Sequence, residues 1–348
     1  MKKQVMFLIM MSLIILTGSC RNKGGGITQS RATGFAYEVI VVMDDKSWKG
    51  EAGEAIKAEL QREVPALPQS EPSMKITYSP PVHFNGLLTY VRNILIVNVN
   101  PDMYTKVAVG SEFNKWARGQ LVMTVNAPDQ QSLIDFLHEH PDAINSRFVN
   151  AEMDRVQVQL QQTYSRKAMD DVVRQFGVEL RLPSDMTATK SAKDFFWVSN
   201  DAKTGRIDAL VYTFPYESRL TFTLDYLIRK RDSVLMENVP GSFPNSYMTT
   251  EIKYHKPEYK AITVQGKYCG EIRGLWRMEG DMMGGPFVSH ARLDEANNRV
   301  VVVEGFVYNP EDTKRNLIRR IEAALYTLRL PEEMVKTDAL AQADAEEK

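Results

Sequence analysis

The chain has 348 residues, 43% hydrophobic and 25% charged, with 43 Lys plus Arg against 44 Asp plus Glu. That composition excludes collagen-like, disordered and polytopic membrane classes, and the near-zero charge removes the basic footprint of a nucleic-acid binder. The length allows two domains whose cores need no disulfide staples.

Met1-Lys2-Lys3-Gln4 is a positive n-region, followed by a twelve-residue run, Val5 to Leu16, that is apolar except for Ser12. As a helix that run reaches about 18 Å, too short for a hydrocarbon core of about 30 Å, so it reads as a secretory h-region. Leu16-Thr17-Gly18-Ser19-Cys20 resembles the lipobox of bacterial lipoproteins, in which the Cys is acylated and becomes the first mature residue. The expectation is a signal peptide over 1–19, a lipid anchor on Cys20 and a Gly-rich tether over 20–34. No acidic cluster follows Cys20, so nothing supports a surface-export signal; the expectation is a periplasm-facing envelope protein, on the outer more than the inner membrane. With Cys20 acylated, Cys269 is the remaining thiol and no internal disulfide can form. Cys269 sits in an apolar strand pattern and reads as a buried small hydrophobe.

The first lobe, 35–164, opens on the β-branched run Phe35–Met43, a buried strand bounded by Asp44-Asp45. Ala52, Ile56, Leu60 and Val64 recur every four residues and predict a helix. Pro65, Pro68 and Pro72 read as a linker. Met74–Tyr78, Asn93–Val99 and Gln120–Asn126 read as strands. Asp129 opens a helix that Pro141 interrupts, and another runs from about Asp142 to Thr163.

The second lobe, 165–331, starts with a helix capped by Ser165 and closed by Gly177. Strands are expected at Val178–Leu182, Phe195–Ser199 and Ile207–Phe214, then a helix over Leu224–Asn238. Five strands follow: Tyr247–Tyr254, Tyr259–Val264, Tyr268–Met278, Phe287–Leu293 and Val300–Val307. Asn309-Pro310-Glu311-Asp312 signals a helix start, and Leu317, Ile321, Leu325 and Leu328 form its core face up to Pro331. Residues 332–348 carry six acids and two lysines and read as a disordered tail. The fold class expected is α+β, two lobes of mostly antiparallel sheet packed with helices.

No GxGxxG, P-loop, GxSxG, HExxH or paired CxxC occurs, so no cofactor and no metal are expected. His138 and His140 are two apart and cannot share a metal from one helix face. His83 follows the rigid Ser79-Pro80-Pro81-Val82 and reads as a solvated loop residue. The unusual stretch is Glu271 to His290. Alternation puts Glu271, Arg273, Leu275, Arg277 and Glu279 on one strand face, with Ile272, Gly274, Trp276 and Met278 on the other. Gly280-Asp281-Met282-Met283-Gly284-Gly285 then leads to a strand at Pro286. Met282 and Met283 beside three glycines suit a contact surface more than a solvated turn. Arg277, Glu279, Asp281, Met282, Met283 and His290 are the candidate binding residues. Glu279 and Asp281 are also the candidate acid or base.

GLWRMEGDMMGGPFVSHARLD, VVVVEGFVYNPEDTKRNLIRRIEAALYTLRL and the lipobox together resemble the Bacteroidetes lipoprotein family known as domain of unknown function 4837. The likeness runs from about Gly34 to Pro331 and is plainest after Tyr259. It implies an exported lipoprotein of that phylum and carries over no catalytic residue. The functional expectation is a non-catalytic binding or scaffolding module, tied to the lipid bilayer through Cys20 and meeting an envelope protein or glycan. The alternative is a cofactor-free envelope hydrolase acting on glycan or peptide through paired carboxylates. Convergence of Glu271, Glu279, Asp281 and His290 in one pocket would favour the enzyme.

Overall fold

Residues 29–335 are described by the computed structural model. The expected signal peptide, Cys20, the expected tether up to residue 28 and the residues from 336 lie outside the described residues.

The first lobe runs β1 (Glu38–Val42), α1 (Asp45–Lys49), α2 (Glu51–Leu60), β2 (Lys75–Ser79), β3 (Asn93–Val99), β4 (Ala108–Phe113), β5 (Leu121–Ala127), α3 (Gln130–Glu139) and α4 (Asn145–Gln162). Its sheet has the order β2-β1-β3-β5-β4. The first four strands in that order are parallel, and only β4 runs antiparallel. The α+β class stands, but the expectation of mostly antiparallel pairing fails for this lobe. The reason is burial on both faces. Val39 and Val41 of β1 point into the core under α2 and α3, while Ile40 and Val42 pack with Ile94, Val122 and Trp116 on the opposite side. Continuous apolar strands joined across helices are the mark of a parallel sheet. β4 is exposed along its whole length and had no apolar alternation to announce it.

The second lobe runs α5 (Arg166–Phe176), β6 (Ala188–Ala192), β7 (Phe195–Ser199), β8 (Arg206–Pro215), α6 (Leu224–Asn238), β9 (Tyr247–Glu251), β10 (Glu258–Val264), β11 (Lys267–Glu279), β12 (Gly284–Asp294), β13 (Arg299–Tyr308) and α7 (Arg315–Leu325). Its antiparallel sheet has the order β10-β11-β12-β13-β8-β7-β6, with β9 pairing the far half of β11. One face of the sheet packs on α6. Ile272, Trp276, Phe287, Val302 and Phe306 form the core on that side with Leu227 and Leu235. At its centre the buried Arg231 donates to both oxygens of the buried Glu304 at 2.7 and 2.8 Å and stacks on Phe287. The outer face packs on α5 and α7 through Val211, Val301, Val303, Ile318, Ile321 and Leu325.

Three local expectations are corrected. Val178–Leu182 is no strand: Glu179 exchanges backbone hydrogen bonds with Arg329 as an isolated bridge, while Leu180 and Leu182 are simply buried. The helix announced by Asn309-Pro310 begins five residues later, because the Asn309 side chain accepts from Gly205 and donates to the Thr313 carbonyl, closing a turn instead. The start of the acidic tail also belongs to the lobe, since Pro331–Val335 is helical and Glu332 and Glu333 pair with Lys267 and Arg292.

The lobes are joined by packing as well as by chain. Phe148 and Ala151 of α4 fill the first core, and Leu160 of the same helix fills the second. Leu67, from the proline-rich stretch read as a linker, packs on the second core. Glu71 from that stretch accepts from the Lys314 and Arg315 amides at 2.7 and 3.0 Å, capping α7 from across the interface. Arg319 donates to the Ser73 carbonyl and hydroxyl and lies 4.5 Å from the centroid of the Tyr37 ring.

Candidate functional site: a cleft between the lobes

Where α4 faces β10, β11 and α7, the two lobes leave a cleft of about 640 Å³. That volume falls in the range of ligand sites, about 300–1,000 Å³. One wall is the α4 face with Asn145, Ser146, Val149, Asn150 and Met153, together with Arg62–Pro65. That wall is fixed by Glu59, a buried carboxylate that accepts from the amides of Asp142, Ile144 and Asn145 and so caps α4. The opposite side is β10, with Glu258, Tyr259, Lys260 and Ile262.

Ser73, Asp142, Glu271, Arg273, Arg319, Glu322 and Tyr326 complete the lining. Arg273 is the hub. It donates to both oxygens of Glu271 at 2.9 and 3.0 Å, and to both oxygens of Glu322, one of them at 3.0 Å. Glu271 also meets His290 Nε2 at 3.4 Å. Burial alone would raise the Glu271 carboxyl; the hydrogen bond from His290 and the Arg273 charge outweigh it and pull the group down to about 2. Arg273 is correspondingly held even more firmly protonated by its two carboxylates, against the pull of burial. Arg319 forms no ion pair among the described residues, and burial lowers it.

These groups sort into a binding surface more readily than a catalytic one. Glu271 is an acceptor at every physiological pH and has no proton to give. The cleft carries four basic and five acidic side chains, so it presents alternating donors and acceptors with little net field. The Tyr259 and Tyr326 rings add flat apolar area beside them, and the Asn145 and Asn150 amides add further donors and acceptors. Among the described residues, no three His, Cys, Asp or Glu side chains gather as a metal would require.

The residues singled out in the sequence divide between two places. Glu271 lines the cleft, and His290, wholly buried, sits behind it against Tyr326 with Nδ1 unpaired among the described residues. Arg277, Glu279, Asp281, Met282 and Met283 lie at the other end of β11. There Arg277 pairs with Glu279 at 2.7 Å, both well exposed. Asp281 accepts from the Ser242 and Met282 amides and ties down the turn. Met282 is fully exposed, whereas Met283 packs on the α6 core beside a 200 Å³ hollow lined by Trp197, Asp208, Trp276 and Phe306. Gly280 has φ +75°, as the turn demands. Gly285 belongs to β12 and is required by close approach: a Cβ there would lie 2.1 Å from the Val307 carbonyl, which Trp276 Nε1 reaches across it. Glu271 and Glu279 therefore do not converge.

Arg319, Glu322, Tyr326 and the α4 wall were not found from sequence. On α7 the only readable signal was the apolar stripe, and charges beside such a stripe normally face solvent. Glu322 and Arg319 are buried because a second lobe covers them.

Residues 165–327 match the family described as domain of unknown function DUF4837. Residues 32–161 match a second, described as domain of unknown function DUF8532, so the likeness to DUF4837 expected from about Gly34 covers the second lobe and not the first. No curated protein matches the chain.

Proposed function

We propose, for a chain whose second lobe belongs to the DUF4837 family, the role of an envelope lipoprotein that binds a peptide or glycan segment in the cleft between its lobes. Anchoring through Cys20 places it at the bilayer, on the outer membrane and facing the periplasm. The observation that supports binding is the Glu271–Arg273–Glu322 network lining a cleft contributed by both lobes. Charges already paired and held in place orient a ligand by hydrogen bonds without needing a proton to move. The hydrolase alternative put its acid or base on Glu279 or Asp281, and these lie at the other end of β11, away from the carboxylates of the cleft.

A photo-crosslinking residue at Asn150, in the α4 wall, tests this in native envelopes against the same residue at Met282, on the exposed turn. A discrete adduct from position 150 that Arg273→Ala abolishes supports the cleft. An adduct from position 282 alone would move the binding surface to the Gly-Met turn. Cleavage of envelope glycan or peptide that Glu271→Gln removes would replace the reading with the hydrolase.

A further inference from the structure

The described chain enters the first lobe along a surface that carries exposed apolar side chains. Gln29 Nε2 donates to the Asn114 carbonyl, Ser30 and Ala32 pair with Arg118, and Thr33 pairs with Tyr90 and Arg92. The entering segment thus spans from the end of β4 to the 3-10 turn Gly86–Tyr90. Large apolar side chains stand exposed along this path: Phe113 at 63%, Leu87 at 85% and Phe35 at 74%. Arg31 and Arg118 face each other as a bridge, both exposed, and no carboxylate pairs with either among the described residues. Exposed aromatic and aliphatic side chains interspersed with unpaired arginines are what an anionic lipid surface selects.

We propose that this face of the first lobe lies on the bilayer, with Phe35, Leu87 and Phe113 in the headgroup boundary and Arg31 and Arg118 on anionic headgroups. The inference rests on the lipid-anchor reading of Cys20. From Cys20 to Gln29 there are nine Cα steps, which reach at most roughly 30 Å. The entry point therefore cannot leave the membrane by more than that, and the side chains surrounding it are the first to meet lipid. Docking there fixes the orientation of the body, so that the cleft is presented in one direction instead of sampling all of them.

The test uses the full lipidated chain in vesicles of phosphatidylethanolamine with a minority of phosphatidylglycerol. An environment-sensitive fluorophore is placed by Leu87→Cys or Phe113→Cys, with Tyr254→Cys on the second lobe as the control; Tyr254 is 81% exposed. Cys269 is buried and stays unlabelled. Spin-labelled lipids should quench positions 87 and 113 at least about threefold more than position 254. Co-sedimentation with vesicles but equal quenching at all three positions would overturn the docking face and leave the anchor standing. Failure to co-sediment would overturn both. Crosslinking of position 87 or 113 between copies, with no quenching by lipid, would assign the face to self-association and also overturn the proposal.

Discussion

Glu271 shows how one residue type takes its chemistry from its surroundings. A carboxyl at 4% exposure would ordinarily be hard to ionise, yet His290 and Arg273 hold it down to about 2. The folded value lies below the ordinary glutamate value of 4.5, so the stabilisation is complete above about pH 4.5 and disappears as pH falls toward 2. Its size is on the order of 3 kcal/mol. Glu271→Gln removes that dependence while leaving Arg273 its second partner, Glu322. The gap between wild type and Glu271→Gln in urea midpoint should therefore be wide at pH 7 and close substantially by pH 3. A gap of constant width across that interval would mean that Glu271 is not held as the geometry describes.

At the scale of the element, α7 binds the parts together. One side carries Ile318, Ile321 and Leu325 onto the sheet, and another carries Arg319 and Glu322 into the interface. Its N-terminal amides are satisfied by Glu71 from the other lobe and not by a residue of its own. Ile321 is fully buried, so Ile321→Asp leaves a charge without a partner and should cost several kcal/mol, comparable with a total stability of about 5–15. Arg320, on the outside of the same helix, pairs with an exposed Asp185. Arg320→Ala should cost less than about 1 kcal/mol. Thermal melts of the two variants decide it: a small shift for the first or a large one for the second would show the helix rotated from the assigned face.

For the whole molecule, the two sheets do not imply two independent folding units. α4 fills both cores, Leu67 crosses from the first lobe into the second core, and Arg319 is satisfied by Ser73. Losing either lobe would strip the other of packing and leave buried polar groups unpaired. Scanning calorimetry of the mature chain should give one cooperative transition with equal calorimetric and van't Hoff enthalpies. Two resolved transitions would show that the interface contributes too little to couple the lobes.

What the amino-acid sequence determined by itself is local. Asn93–Val99 and Leu224–Asn238 were legible to the residue, and the Ser165 and Gly177 caps were placed correctly, because period and capping chemistry act within one turn or strand. The odd character of Glu271–His290 was legible too, since paired acids and arginines in a buried strand pattern stand out. Tertiary structure alone decided how the strands of the first lobe pair. Runs such as Val39–Val42 and Ile94–Val97 report burial, but which apolar strand lies beside which is a long-range choice set by the crossover helices. It also decided the site. Glu271 and Arg273 became a cleft only when Glu322 and Arg319 arrived from α7 and Asn145–Met153 from the other lobe. The Gly-Met turn, equally prominent in the sequence, was left at the far end of β11. A charge pattern along one strand specifies a face, and the opposing face comes from residues distant in the chain, whose own spacing bears no mark of the encounter.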